Sequence, residues 1–165
     1  MSEGLIPKET RALVGTSWGD PTQGEVLRKE SVRFAQSVND LNPLYFDEEY
    51  AKEAGYEGTI TPPMFFHIAL TPSLPLSETQ PDGLFRTGRR ELKLNGADRS
   101  MFGGEEVEFL APVHPGDVLE GATEWESIEE KQGASGAFVV TVWKTTVRNQ
   151  HGEIVVISHG SGIAR

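Results

Sequence analysis

Apolar and polar positions change rhythm once along this chain. From Arg28 to Val38, Val32, Ala35 and Val38 recur at helical spacing and predict a helix. Asn39-Asp40-Leu41-Asn42-Pro43 ends it, because a residue that precedes proline is pushed out of the helical region. A short second helix is expected over Asp47 to Ala54, with Asp47 as N-cap, acidic residues in its first turn and Gly55 as its stop. The run Thr61-Pro62-Pro63-Met64-Phe65-Phe66-His67-Ile68-Ala69-Leu70-Thr71 is apolar nearly all round and opens on a cap residue and a proline. A helix of that kind is expected to be buried on every face. Ser73 to Arg99 reads as loop, broken by Pro75, Pro81 and Gly83, with one strand expected near Glu91 to Leu94.

From Gly103 onward the pattern is that of strands: Val107 to Leu110, Val118 to Ile128, Ala137 to Arg148 and Ile154 to Ser161. Turn chemistry separates them at His114-Pro115-Gly116-Asp117, at Glu130 to Gly136 and at Asn149-Gln150-His151-Gly152. Met1 to Gly24, rich in Gly, Pro and polar residues around Leu13-Val14-Gly15 and Trp18, reads as a lead-in that packs onto the body. Helices followed by an antiparallel meander, with one helix apolar on all sides, predict an α+β fold in which the sheet wraps that helix.

Length and composition narrow this further. The 165 residues suit one domain, 1–165, with a proper core. Apolar runs are only a few residues long, so no membrane span is expected, and the N-terminus lacks the basic-then-apolar pattern of a signal peptide. The absence of cysteine removes disulfides, thiolate nucleophiles and cysteine-ligated metals, and makes the cytoplasm the expected compartment. Fifteen basic residues against 25 acidic ones give −10, which argues against a nucleic-acid footprint. An acidic carrier protein or the phosphates of coenzyme A would then need a local basic patch or a basic partner.

Asp40-x-Asn42-Pro43-Leu44-Tyr45-x-Asp47-x-x-Tyr50-Ala51 is followed by Gly55-Tyr56, Thr61-Pro62-Pro63-x-Phe65, Gly103-Gly104-Glu105-x-x-Glu108-Phe109, Pro112-Val113 and Pro115-Gly116-Asp117. This ordered series, running from about Gly24 to the end, resembles the MaoC-like dehydratase family. More narrowly it is similar to the N-terminal half of double-hot-dog hydratases and to the A-type subunit of mycobacterial (3R)-hydroxyacyl thioester dehydratases. The resemblance implies a hot-dog fold with Pro62 to Thr71 as its central helix, and a dimer of two such units. In catalytic members Asp-x-Asn-Pro-x-His supplies an aspartate and a histidine that activate a water, while a glycine N–H at the start of the central helix holds the thioester oxygen. Hydration of an enoyl thioester requires that base, a proton for the α-carbon and a donor for the developing oxyanion.

Against that pattern two groups are missing. Tyr45 stands at the histidine position, and a phenol with a reference pKa of about 10 is a poor base at neutral pH. Pro63 stands at the glycine position and has no N–H. Asp40 and Asn42 remain, Asp40 being either a surviving acid/base group or an Asx-turn residue. Tyr45, Pro63, Phe65, Phe66 and Gly104 are the expected substrate-side residues, and the cluster Arg86, Arg89, Arg90 and Lys93 is the candidate for phosphate contact. His67 and His159 are expected to be satisfied imidazoles, no metal or other cofactor is expected, and Ser161 lacks the frame of a nucleophile elbow.

The expected function is therefore a non-catalytic, substrate-accommodating subunit. It would pair with a second hot-dog chain that carries the Asp/His dyad and would act on an acyl-CoA or acyl-carrier-protein thioester. The alternatives are a homodimeric thioester enzyme using Asp40, with Tyr45 or His67, and a non-enzymatic acyl-thioester-binding module.

Overall fold

A computed structural model describes residues 4–72, 77, 92–97 and 99–165. In chain order the elements are helix α1 (Lys8–Arg11), strand β1 (Thr22–Glu25), helix α2 (Arg28–Ser37), a 3-10 turn (Pro43–Tyr45), helix α3 (Glu48–Glu53), helix α4 (Phe65–Leu70) and strands β2 (Ser100–Phe109), β3 (Val118–Gly133), β4 (Gly136–Arg148) and β5 (Ile154–Ala164). The strands form one antiparallel sheet in the order β1-β3-β4-β5-β2, so β1 and β2 are its edges. The sheet curls around α4. This is the α+β, hot-dog arrangement that the resemblance implies.

The core sits between α4 and the sheet. Phe65, Phe66 and Ala69 of α4 pack with Val26, Leu119, Val147, Val155 and Val156. Two glycines allow the close approach. A Cβ on Gly24 of β1 would lie 1.7 Å from the Ala69 carbonyl oxygen, and one on Gly121 of β3 would lie 2.7 Å from Leu70 Cδ1. A second apolar cluster, built on Ile6, Trp125, Ile128 and Val139, is covered by the lead-in through Leu5, Leu13 and Trp18.

Several expectations change in detail. The buried residues of α2 are Ser31 and Ala35, with Phe34 on the ring of Phe65, while Val38 is 55% exposed at the C-cap. The stripe is thus rotated towards α4, where an aromatic contact is available. The proposed helix start at Thr61-Pro62 becomes a turn: Phe65 N–H donates to Pro62 O at 3.2 Å, and Met64 adopts φ 69°, ψ −6°. Proline second and a positive φ third is the pattern of a type II turn, which postpones the helix to Phe65. Nor is α4 buried all round, since Ile68 is 47% exposed and His67 faces outward with it. Leu92, Lys93 and Leu94 form no strand; Thr10 Oγ1 donates to Lys93 O at 2.7 Å and Asn95 N–H to Leu5 O at 2.9 Å, tying this segment to the lead-in. Strand β3 runs to Gly133 and pairs with Gly136, so the expected turn at Glu130 to Gly136 shrinks to Ala134-Ser135.

Candidate functional site

The Asp40 segment is shaped by the end of α2. Asn39 takes φ 56°, its N–H donates to Gln36 O at 3.1 Å, and Asp40 N–H donates to Ala35 O at 2.9 Å. These are the two bonds of a Schellman cap with asparagine in the left-handed position. Asn42 N–H then approaches Asp40 Oδ1 at 3.4 Å, and Leu44 N–H donates to Asn42 Oδ1 at 3.1 Å. Both side chains are therefore turned towards their own loop, as Asx turns require. Downstream, Asp47 Oδ1 caps α3 by accepting from Glu49 and Tyr50 N–H.

Tyr45 lies 7% exposed beneath this loop, and its hydroxyl donates to Asp40 Oδ2 across 3.3 Å. Burial, then the negative charge of Asp40 and the hydrogen bond to it, hold the phenol above its ordinary value. A phenol so placed keeps its proton and cannot take one from water at neutral pH. A raised acid pKa adds stability below the ordinary phenol value, and that stability is lost as pH rises through the higher folded value. We expect Tyr45→Phe to remove the late-ionising step from an absorbance titration of the three tyrosines. The variant should also lose less stability than the parent above about pH 10. Three phenols ionising together in the parent would contradict this.

At the head of α4, Pro63 offers no N–H and Met64 occupies the left-handed region, a conformation that costs a non-glycine residue about 1–3 kcal/mol and is tolerated where the surroundings over-determine it. Phe65 and Phe66 are buried, at 0% and 3% exposure, so both are core residues of this chain.

A second polar cluster lies on the outward side of α4. His67 Nε2 is 3.1 Å from Glu105 Oε2, and Ser158 Oγ donates to Glu105 Oε1. The His67 side chain is 48% exposed, that of Glu105 15%, and Ser158 is fully buried. A bulge in β2 between Phe102 and Gly104, with Gly104 at φ 141°, precedes Glu105, and bulges re-aim the side chains beside them. Gly104 O also accepts from Ser161 Oγ at 3.2 Å. The Phe66 ring lies against the imidazole at 4.1 Å, and Phe109 meets Phe66 edge-on at 6.5 Å.

Two groups of expected site residues thus emerge: Asp40, Asn42 and Tyr45 in one loop, and Phe66 and Gly104 beside His67 and Glu105. Among the described residues no side-chain hydrogen bond joins the two. Lys93 is exposed, and Arg86, Arg89 and Arg90 lie outside the described residues. His159 pairs with Glu126 at 2.8 Å and His114 Nδ1 with Thr59 O at 3.1 Å. Among the described residues no three His, Asp or Glu side chains converge as metal ligands, and no helix is long and apolar enough to cross a membrane. Sequence reasoning missed Glu105 and Ser158; the only signal was Glu105 within the Gly-Gly-Glu motif.

Residues 12–158 match the family model described as FAS1-like, dehydratase domain region. A UPF0336 protein of Streptomyces avermitilis is 31% identical over 156 residues, which cover 94% of each chain. Among solved structures, the ChsH1-ChsH2 complex from Mycobacterium tuberculosis is similar with a TM-score of 0.75 at 16% identity, covering 94% of this chain and 90% of that one. The C-terminally truncated HadBC (3R-hydroxyacyl-ACP dehydratase) complex from Mycobacterium tuberculosis gives a TM-score of 0.67 at 24% identity, over 92% and 96%.

Proposed function

The chain belongs to the FAS1-like dehydratase domain family, of the MaoC-like hot-dog type, and from that premise we propose that it is the substrate-accommodating subunit of a heteromeric enoyl-thioester hydratase or (3R)-hydroxyacyl-thioester dehydratase. Its substrate is an acyl-CoA or acyl-carrier-protein thioester. The Asp40–Tyr45 loop does no hydration chemistry; the water-activating Asp/His dyad comes from a second hot-dog chain.

The observation that carries this reading is the Tyr45–Asp40 contact. In that loop the base must take a proton from water, and Tyr45 instead presents a buried, protonated phenol to the carboxylate. Pro63 also withholds the backbone donor that would meet the thioester oxygen.

The need for a partner has separate support. Strand β2 is a ten-residue edge whose outer backbone groups have no strand beside them among the described residues. Met101, Phe102, Phe109 and Leu110 on and after it are 53%, 67%, 48% and 47% exposed. The glutamates at Glu105, Glu106 and Glu108 and the bulge at Gly104 blunt only the middle of this edge, and the exposed apolar residues stand at its two ends. Ile68 adds an exposed apolar residue on α4. Both similar solved structures described above are complexes of two differently named chains.

The test is hydration of crotonyl-CoA by the purified chain, alone and co-expressed with a hot-dog chain that carries an intact Asp-x-Asn-Pro-x-His segment. We expect no hydration alone, hydration by the complex, and no change in the complex on Asp40→Ala. A pure chain that hydrates the substrate unaided and loses that activity on Asp40→Ala overturns the proposal.

A further inference from the structure

We propose that His67, oriented by Glu105, is an acid–base group of this chain, exchanging a proton with the carbon next to the carbonyl of an acyl thioester. The substrate class rests on the family reading above; the site is separate from the Asp40 loop and goes beyond that reading.

The proton inventory follows from the contacts. A carboxylate only accepts, so in the neutral imidazole the proton sits on Nε2, bonded to Glu105. Nδ1 then carries the lone pair. A base oriented by a carboxylate, with the carboxylate itself held by a third group, is the arrangement by which proteins fix a working imidazole tautomer. Here the third group is Ser158, whose hydroxyl is wholly buried. The His159 pair lacks this anchoring: its Glu126 side chain is 45% exposed, against 15% for Glu105.

The sheet also breaks its own apolar pattern to build the anchor. Residues opposite one another share a face. Thr123 pairs with Thr145, Thr145 with Ser158, and Glu105 lies opposite Gly160, beside Ser158's own partner Val107. The Thr123 and Thr145 hydroxyls are 2.9 Å apart. A polar row therefore crosses the sheet between the two apolar clusters and ends at the imidazole. Buried polar groups cost free energy unless paired, and these are paired with one another. Phe66, itself met edge-on by Phe109, gives the imidazole an apolar flank on one side.

Glu105 is the carboxylate that meets His67. Neighbouring acids on the strands packed against α4 alternate away from it: Gly24 and Gly121 face the helix, which turns Glu25, Glu120 and Glu124 to the other side or off it.

The step needs no co-reactant. The α C–H bond breaks, its proton passes to Nδ1, and its electron pair enters the thioester as an enolate. Return of a proton from the imidazolium to the α-carbon restores the substrate. In deuterium oxide the imidazolium N–H exchanges with solvent before the return step, and the deuteron it then delivers labels that carbon.

The test is mass-spectrometric deuterium uptake by butyryl-CoA with the purified full chain. We expect uptake that falls about 100-fold or more in His67→Gln, the scale of a general acid–base contribution. Glu105→Gln should lower kcat for uptake with KM little changed, since the carboxylate that orients the imidazole is gone. His159→Gln, which removes the other His–Glu pair, should exchange like the parent. Parental uptake in His67→Gln, or no uptake by the parent chain, overturns the inference. Neither outcome bears on the partner reading, which stands or falls on hydration and on Asp40→Ala.

Discussion

Gly24→Ala should lower the unfolding free energy by about 3 kcal/mol or more, at or beyond the usual range for overpacking. The reason is the identity of the atom in the way. The new Cβ would fall 1.7 Å from the Ala69 carbonyl oxygen and 2.7 Å from its carbon, and both belong to the backbone of α4. A flexible side chain could swing aside, but a helix backbone can only be pushed off the sheet. Such a shift opens the contacts of Phe65, Phe66 and Ala69 with Val26, Leu119 and Val147. It also moves the helix that carries His67. Gly58→Ala is the internal comparison, because no atom lies within 4 Å of its added Cβ and its φ is outside the left-handed region. It should be neutral or gain about 0.4–1 kcal/mol through the unfolded chain. Thermal unfolding of the two variants decides it, and equal midpoints would mean that the close approach of β1 to α4 is wrong.

The features legible in the sequence are those written in local chemistry. Asp47 capping α3, the end of α2 at Asn39, and the strand runs after Gly103 each depend on residues within a few positions of one another. The family motif likewise located the Asp40 loop, although its hydrogen bonds needed coordinates. Where sequence reasoning slipped, a neighbour in space or a competing turn decided. Pro62-Pro63 looked like a helix opening, yet proline equally suits the second position of a type II turn, and Met64 accepts the positive φ. Strand β3 extends through Glu129 to Gln132, polar residues with no alternation to betray a strand, because β4 supplies its hydrogen-bond partners. The cluster of His67, Glu105 and Ser158 was the least accessible. Its members are 38 and 53 residues apart in the chain. Only the pairing of β2 with β5 and the bulge at Gly103 bring them to the same side of α4.

The central helix gives the second large effect, and it separates folding from assembly. Phe65→Ala should cost about 3–5 kcal/mol, the range for deleting a buried phenyl ring. Phe65 is 0% exposed and packs against Phe34 of α2 at 5.8 Å, so neither α4 nor α2 can close the cavity without leaving the other. For a chain of this size that loss moves the thermal midpoint by about 10 °C. Ile68 sits three residues further on and is 47% exposed. In the isolated chain Ile68→Ala removes little buried surface, so its midpoint should stay near the parent's. If the exposed side of α4 is where a second hot-dog chain rests, Ile68→Ala should instead weaken the heteromer while the single chain stays folded. Phe65→Ala would impair both. A midpoint for Ile68→Ala as low as that for Phe65→Ala would place Ile68 inside the core of the single chain and remove α4 from the partner surface.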